Sequence, residues 1–443
     1  MSPTLSKPSL SDTSLADLQR RHIRDLQKAY EDVMASFGVE AVAIYSGHAV
    51  PHFGDDQYPS FQTYAHFMHW APLPEAQHSW LLIRKDARPA LYLYAPEDYW
   101  HLPAQLPAEA WVDEFDVQRC SEPTPPLLGK HTAIIGDVDA LAATGSLAGD
   151  IQPEALLRAL DELRLYKSDY EVACLREANR YAIAGHQAAL SAFQAAGSEL
   201  DIQLAYLAAS RQRESLMPYQ NIVGLNQHAG VLHYQHYEVN APQHHSSLLV
   251  DAGHRYRGYC ADLTRTHAGP DAPSLFAELI QAVTAIKDNI IDAIAPGVSF
   301  LELHEQMHHH LAHALITHDL FHGSAEQAIE SGVTRAFCPH GLGHSLGLQV
   351  HDVAGKRHPD GSPSPAPALH PALRLTRTLR PDMVVTIEPG CYFIPMLLNP
   401  LRTQPLPINW TLVDRLSVCG GIRVEDNVLV TVDKYQNLTQ DFN

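Results

Sequence analysis

"LLVDAGHRYRGYCADLTRT" (residues 248–266) sets two aspartates, Asp251 and Asp262, in apolar strand-like runs on either side of a polar turn. The turn "HRYRG" predicts a β-hairpin. With its centre between Tyr256 and Arg257, Asp251 and Asp262 become direct cross-strand partners that share a face. Their Cβ atoms then lie roughly 5 Å apart. Two facing carboxylates repel and require a counter-charge, which a metal supplies.

Two further acids follow the same pattern. "VVTIEPG" places Glu388 at the end of an apolar strand, directly before a Pro-Gly turn. In "GGIRVEDNVLV" the alternation of Ile422 and Val424 with Arg423 and Glu425 puts the arginine and glutamate on one face. Burying four unpaired carboxylates in one domain is very costly. Four carboxylates match the charge of two divalent cations, and bridging carboxylates would space such ions at roughly 3.5–4 Å around an activated water. Four oxygen ligands and one imidazole form a hard set that favours Mn²⁺, with Co²⁺ or Zn²⁺ able to substitute.

The imidazole is sought in "CPHGLGHSLGLQVHD" (338–352), which holds His340, His344 and His351. His340 and His344 have the four-residue spacing of a helical zinc pair. Three glycines within 341–347 and the preceding proline argue against a helix, so the run reads as a loop.

Composition narrows the function. The chain has 443 residues, 45% hydrophobic and 18% charged, and its formal charge of −19 disfavours nucleic acid or an anionic membrane as partner. No apolar run reaches the roughly 18–20 residues that span a bilayer. The opening "MSPTLSKPSLSDTSL" lacks an apolar core and reads as a polar leader, not a secretory signal. The six cysteines contain no CxxC pair and read as reduced core residues of a cytoplasmic protein. In "HEQMHHHLAHALITHDLFH" (304–322), His309 and His313 mimic a zinc pair. The apolar stripe Leu303, Met307, Leu311 and Leu315 instead predicts an amphipathic helix with its histidines mostly on the wet face.

Two domains are expected: an α/β domain over 1–160 and a catalytic domain over 161–443. "VEAVAIYSG", "ALYLYAP" and "HTAIIGDV" read as strands of the first. In "YKSDYE", Ser168 and Glu171 form a capping box that opens a long helix. Further helices begin near Leu200 and Ser274, the last stopped by "APG" (295–297). The Pro-rich "KRHPDGSPSPAPALHPAL" (356–373) is a loop, either a lid over a site or a surface excursion.

Asp251, Asp262, "HGLGHSLGLQVHD", "TIEPG" and "GIRVED", in this order, resemble the pita-bread metallopeptidases, a group that includes methionine aminopeptidase, aminopeptidase P and prolidase. "MPYQNIVGLNQHAGVLHYQHY", "LRLTRTL" and "FGDDQYPSF…WAP" extend the likeness, over nearly the whole chain, to the bacterial Xaa-Pro dipeptidase branch, which also contains organophosphorus acid anhydrolases. The resemblance implies a creatinase-like α/β domain for dimerisation and pocket cover, then a pita-bread catalytic domain. It implies two divalent cations held by Asp251, Asp262, His344, Glu388 and Glu425, with Asp262 and Glu425 bridging. A metal-activated hydroxide would attack the bond to proline, with Glu388 as proton shuttle and His340 and His351 facing the substrate.

It further places His233 and Arg374 near the substrate carboxylate, Arg423 beside Glu425, and Tyr219 along the pocket for the first residue. Asp55 or Asp56 of "GDDQYP" would reach across a homodimer to the substrate's amino group. Phe300 stands where some members carry tyrosine, which bears against organophosphate hydrolysis more than against dipeptide cleavage. The alternatives are an aminopeptidase P acting on longer peptides and a non-catalytic pita-bread binding module. The latter is disfavoured because every ligand is kept.

Overall fold

The computed structural model describes residues 12–440, so the first eleven residues of the predicted polar leader lie outside it. The chain divides into two compact units, residues 1–177 with 256–259, and residues 178–255 with 260–443. The first unit runs seventeen residues beyond position 160, because the helix Glu154–Leu165 and the start of the helix Asp169–Gln194 belong to it.

The first unit is a six-stranded mixed sheet with the order Asp116–Cys120, Ala90–Tyr94, Trp80–Arg84, Ala41–Tyr45, Thr132–Ile135 and Asp150–Ile151. The central strand Ala41–Tyr45 runs antiparallel to Trp80–Arg84 and parallel to Thr132–Ile135. All five of its residues are buried, as expected for a strand covered on both faces. The helix Asp12–Phe37 contributes Ile23, Leu26, Tyr30 and Met34, spaced to form one apolar stripe, to a core that includes Trp70, Trp111 and Leu160. The Ser168 capping box is present: Ser168 N donates to Glu171 Oε2 (2.8 Å) and Glu171 N to Ser168 Oγ (3.4 Å).

The second unit is built from short antiparallel strands flanked by helices. Ser247–Asp251 pairs with Ile222–Leu225 on one side and Thr264–Ala268 on the other. Val384–Ile387 pairs with Asp426–Val430, and Gly390–Tyr392 with Gly421–Arg423. The helices Glu199–Ser210, Ser274–Asp292 and Phe300–Thr317 match the three predicted ones.

One expectation needs correction, the hairpin register. Asp251 opposes Thr264, not Asp262, and the ladder continues through Ala252 N to Leu263 O and Ala261 N to His254 O. The turn is centred on Arg257 and Gly258, at φ +49° and +95°, one position later than expected. Positive φ at both central residues is what a tight hairpin turn requires, and glycine meets it without strain at the second position. The histidine-rich helix agrees with its expectation, since most of its histidines are not buried. Its stripe Leu303, Met307, Leu311 and Leu315 is buried as predicted, and His309 and His313 are exposed, but His304 and His308 are buried beside the stripe.

Candidate active site

The glycine-rich run is extended, not helical. Residues 342–346 lie antiparallel to 384–388: Leu346 N donates to Val384 O, Thr386 N to His344 O, and Glu388 N to Leu342 O. Gly343 allows this close approach, since a Cβ there would sit 2.0 Å from Thr386 O. The pairing carries His344 to Glu388, with His344 Nε2 3.9 Å from Glu388 Oε1 and 3.3 Å from Asp262 Oδ2. His344 Nδ1 is 3.0 Å from Ser345 O. A carbonyl can only accept, so Nδ1 carries a proton and Nε2 points at the carboxylates: protonated it donates to Asp262, and deprotonated it offers its lone pair to a cation. Such second-partner hydrogen bonds fix the tautomer of metal-binding histidines.

The other acids converge on the same point. The Tyr219 hydroxyl lies 2.8 Å from Asp251 Oδ1 and 2.5 Å from Asp262 Oδ1. One proton can serve only one of these contacts at a time. Asp262, His344 and Glu425 each present a ligand atom within 4.8 Å of the others. Thr264 Oγ1 donates to Glu425 Oε2 at 2.8 Å, whereas the buried Oε1 of Glu425 has no hydrogen-bond partner. Arg423 and Glu425 both face this cluster, although the predicted single strand is broken between them into Gly421–Arg423 and Asp426–Val430.

The electrostatics match the crowding. Burial, followed by the charges of Asp262, Glu388 and Asp251, pushes Glu425 well above the usual carboxylate range. Burial raises Glu388 to about 7 against the pull of His344 and Arg423, and it raises Asp251 as well. Asp262 goes the other way: burial would raise it, but the hydrogen bond and charge of His344 hold it below its ordinary value. Buried carboxylates that raise one another, an acceptor with no donor and an imidazole nitrogen aimed among them form a donor set that divalent cations fit.

Arg423, expected beside Glu425, is engaged by its neighbours in the cluster. It is 4% exposed, and its donors are committed within the protein: Nη2 to Asp251 Oδ2 (2.6 Å), Nη1 to the Tyr392 hydroxyl (2.8 Å) and Nε to Thr264 Oγ1 (3.2 Å). The guanidinium thus orients Asp251. Tyr219, expected along the pocket for the first residue, has its hydroxyl against the carboxylates. His340 Nδ1 donates to Gly341 O (2.8 Å), which leaves Nε2 to accept from the Tyr392 hydroxyl at 2.9 Å. Burial, with Arg423 adding, lowers the His340 imidazole to about 4, so it is neutral at pH 7.

The ring of His351 packs edge-on to His344 at 4.4 Å between centroids, and the charges of Arg374 and His233 reach it. His233, His351 and Arg374 are exposed. Asp55 and Asp56 are exposed in the first unit, whereas the carboxylate cluster is composed of second-unit residues. Thr264, Thr266, Thr386, Tyr392 and Asn427 were not anticipated. Asn427 Oδ1 accepts from Asp262 N (3.1 Å) and its Nδ2 donates to Asp262 O (2.5 Å). A signal existed for two of them: Asp262, Thr264 and Thr266 alternate along "DLTRT", the period of one strand face.

Residues 173–432 match the sequence profile of metallopeptidase family M24, and residues 17–161 match that of the Xaa-Pro dipeptidase N-terminal domain. The chain belongs to metallopeptidase family M24. It is a peptide hydrolase, and membership of this family implies a divalent-metal site. Among M24 relatives it is 46% identical to a Xaa-Pro dipeptidase of Marinobacter nauticus, over 98% of this chain and all of that one. It is 42% identical to a Xaa-Pro dipeptidase of Yersinia pseudotuberculosis, over 97% and 99%. In fold, this M24 chain is similar to zinc-substituted Escherichia coli aminopeptidase P in complex with product, at TM-score 0.73 and 21% identity over 96% of both chains. It is also similar to proline aminopeptidase P II from Yersinia pestis, at TM-score 0.70 and 22% identity over 94% of this chain and 97% of that one.

Proposed function

We propose that this metallopeptidase hydrolyses Xaa-Pro dipeptides, with Asp251, Asp262, His344, Glu388 and Glu425 holding two divalent cations, Mn²⁺ in the working enzyme. The observation that carries the reading is the convergence of four carboxylates, two buried and two partly buried, and one imidazole nitrogen, with Glu425 Oε1 unpartnered. Near-full-length identity to Xaa-Pro dipeptidases supports the substrate class. When bound, the cations supply Lewis acidity, making water nucleophilic at neutral pH and polarising the scissile carbonyl.

The protein's own groups do the rest. Arg423 and Thr264 hold Asp251 and Glu425 in place, and Asn427 fixes the backbone of Asp262. Glu388, with 18% of its side chain exposed against 8% for Asp262, faces the open side of the cluster and moves a proton towards the leaving nitrogen. Neutral His340 and the rim residue His351 face the substrate. The nitrogen of an Xaa-Pro bond has no hydrogen, so recognition falls on the chain ends. His233 and Arg374 take the proline carboxylate, a charge-assisted pairing that selects dipeptides. Asp55 takes the amino group of a substrate bound by the partner protomer of a homodimer. The six cysteines are all free, which supports a cytoplasmic setting.

The aminopeptidase P fold neighbours make longer Xaa-Pro peptides the competing substrates. Assays on Gly-Pro and Gly-Pro-Ala separate the two. Rapid cleavage of the dipeptide alone is expected, abolished by EDTA, restored by Mn²⁺, and reduced at least about 100-fold by Glu388→Ala. Equal cleavage of the tripeptide overturns the dipeptidase reading.

A further inference from the structure

Two groups of potential ligands lie outside the carboxylate cluster among the described residues. In the first unit, His22, His69 and Glu171 are largely occupied. His22 bonds to Ser168 Oγ (2.8 Å) and His69 O (2.9 Å), while Glu171 accepts from Ser168 N in the capping box of its own helix and from the Tyr259 hydroxyl (3.0 Å). That group is a structural joint.

The second group has a different character. His304 and His308 are four apart on one face of the helix Phe300–Thr317, and His370 comes from the Pro-rich segment. The helix pair is 2% and 3% exposed. Ring centroids are 4.7 Å apart for His304 and His308, 4.5 Å for His304 and His370, and 5.3 Å for His308 and His370. Each residue offers one nitrogen within 4.8 Å of the others. His304 Nε2 lies 3.0 Å from His370 Nδ1, yet the buried Nδ1 atoms of His304 and His308 have no hydrogen-bond partner. Leaving such an atom unsatisfied is costly. Burial and the mutual proximity of the rings keep His304 neutral down to about 2 and His308 down to about 3, the form that binds metal. Around them, the Arg335 cation opposes a second positive charge, while Glu305 facing His370 offsets it.

We propose that His304, His308 and His370 form a separate transition-metal site that takes Zn²⁺ and clamps the Pro-rich segment to the helix. An all-imidazole set with helical i, i+4 spacing suits Zn²⁺ and is poorly matched to Mn²⁺ or Mg²⁺, unlike the oxygen-rich cluster. The clamp acts on a defined stretch. Leu373 N donates to His370 O (3.0 Å), and Leu373 Cα lies where a side chain on Gly341 would sit. The site therefore supports the wall that carries His340 and, four residues beyond His370, Arg374.

The test is Zn²⁺ content after equilibrium dialysis of the full-length protein, with folding checked by circular dichroism. Three ions per chain are expected for the wild type and two for His308→Gln and for His370→Ala, the latter on a half-buried loop residue. The Asp262→Asn/Glu425→Gln variant is expected to keep one ion, which His370→Ala then removes. This arm holds whether or not the two-cation reading is right. Equal zinc in the wild type and both histidine variants overturns the proposal. So does loss of the third ion from His309→Gln/His313→Gln with retention in His370→Ala, which would mark surface binding at the exposed pair.

Discussion

Thr264 shows how much of this site depends on one hydroxyl. It donates to Glu425 Oε2 and accepts from Arg423 Nε, and so ties a proposed bridging carboxylate to the arginine that orients Asp251. Thr264→Val keeps the shape and removes both bonds. We expect Mn²⁺ affinity to fall about 10–100-fold, the usual cost of losing a partner of a metal ligand. Isothermal titration of the chelator-stripped protein measures it, and unchanged affinity would show that the hydroxyl does not position Glu425. The residue types that bear charge, Asp251, Asp262, Glu388 and Glu425, could be read from acids embedded in apolar strands. Their supporting hydroxyls could not, because a threonine in a strand is ordinary β-sheet composition.

Between elements, the strand Asp426–Val430 is held by a buried charge pair. Asp426 is fully buried and accepts from Lys287 Nζ (2.5 Å), Arg265 Nη2 (2.8 Å) and Asn437 Nδ2 (2.8 Å). Lys287 sits on the helix Ser274–Asp292, so this contact docks helix on strand one residue from Glu425. Asp426→Ala leaves the buried Lys287 ammonium with Asp288 alone, at 3.2 Å, and a loss of about 1.5–3 kcal/mol is expected in urea unfolding. A loss below about 1 kcal/mol would place the docking energy in the apolar contacts instead. Element types were legible because periodicity and caps are local: the Ser168 capping box and the three second-unit helices stand where the pattern put them. The register of the 248–266 strands was not. It turns on which two residues accept positive φ, and Arg257 does so without being glycine, a choice the local sequence does not dictate.

At the level of the whole chain, the first unit exposes a set of large apolar side chains. Phe53, Tyr99, Trp100 and Leu102 all exceed 70% exposure. Tyr99 and Trp100 pack together at 4.9 Å between ring centroids, an exposed apolar pair of the kind that partners cover, and the proposed occupant is a second copy of this chain. Light scattering is expected to give a dimer for the wild type and a monomer for Trp100→Lys/Leu102→Glu. If Asp55 acts across the dimer, the monomer also loses Gly-Pro turnover while retaining Mn²⁺. A monomeric wild type removes the role assigned to Asp55.

The residue order along the chain was enough to carry a resemblance to the pita-bread metallopeptidases, and acids in apolar strands pointed separately to cations, because few arrangements relieve the cost of burying them. Folding settled which atoms meet. It brought Asp251 to Arg423 and His344 to Glu388 across long stretches of sequence. It aligned the glycine-rich run as a strand through a backbone approach that only glycine permits at position 343. It also turned His304 and His308 inward against His370, a detail below the reach of an expectation that the histidines lie mostly on the wet face. A helical period shows which face is apolar, but a histidine at the edge of that face is buried or exposed according to what packs over it. Here a loop sixty residues downstream covers it.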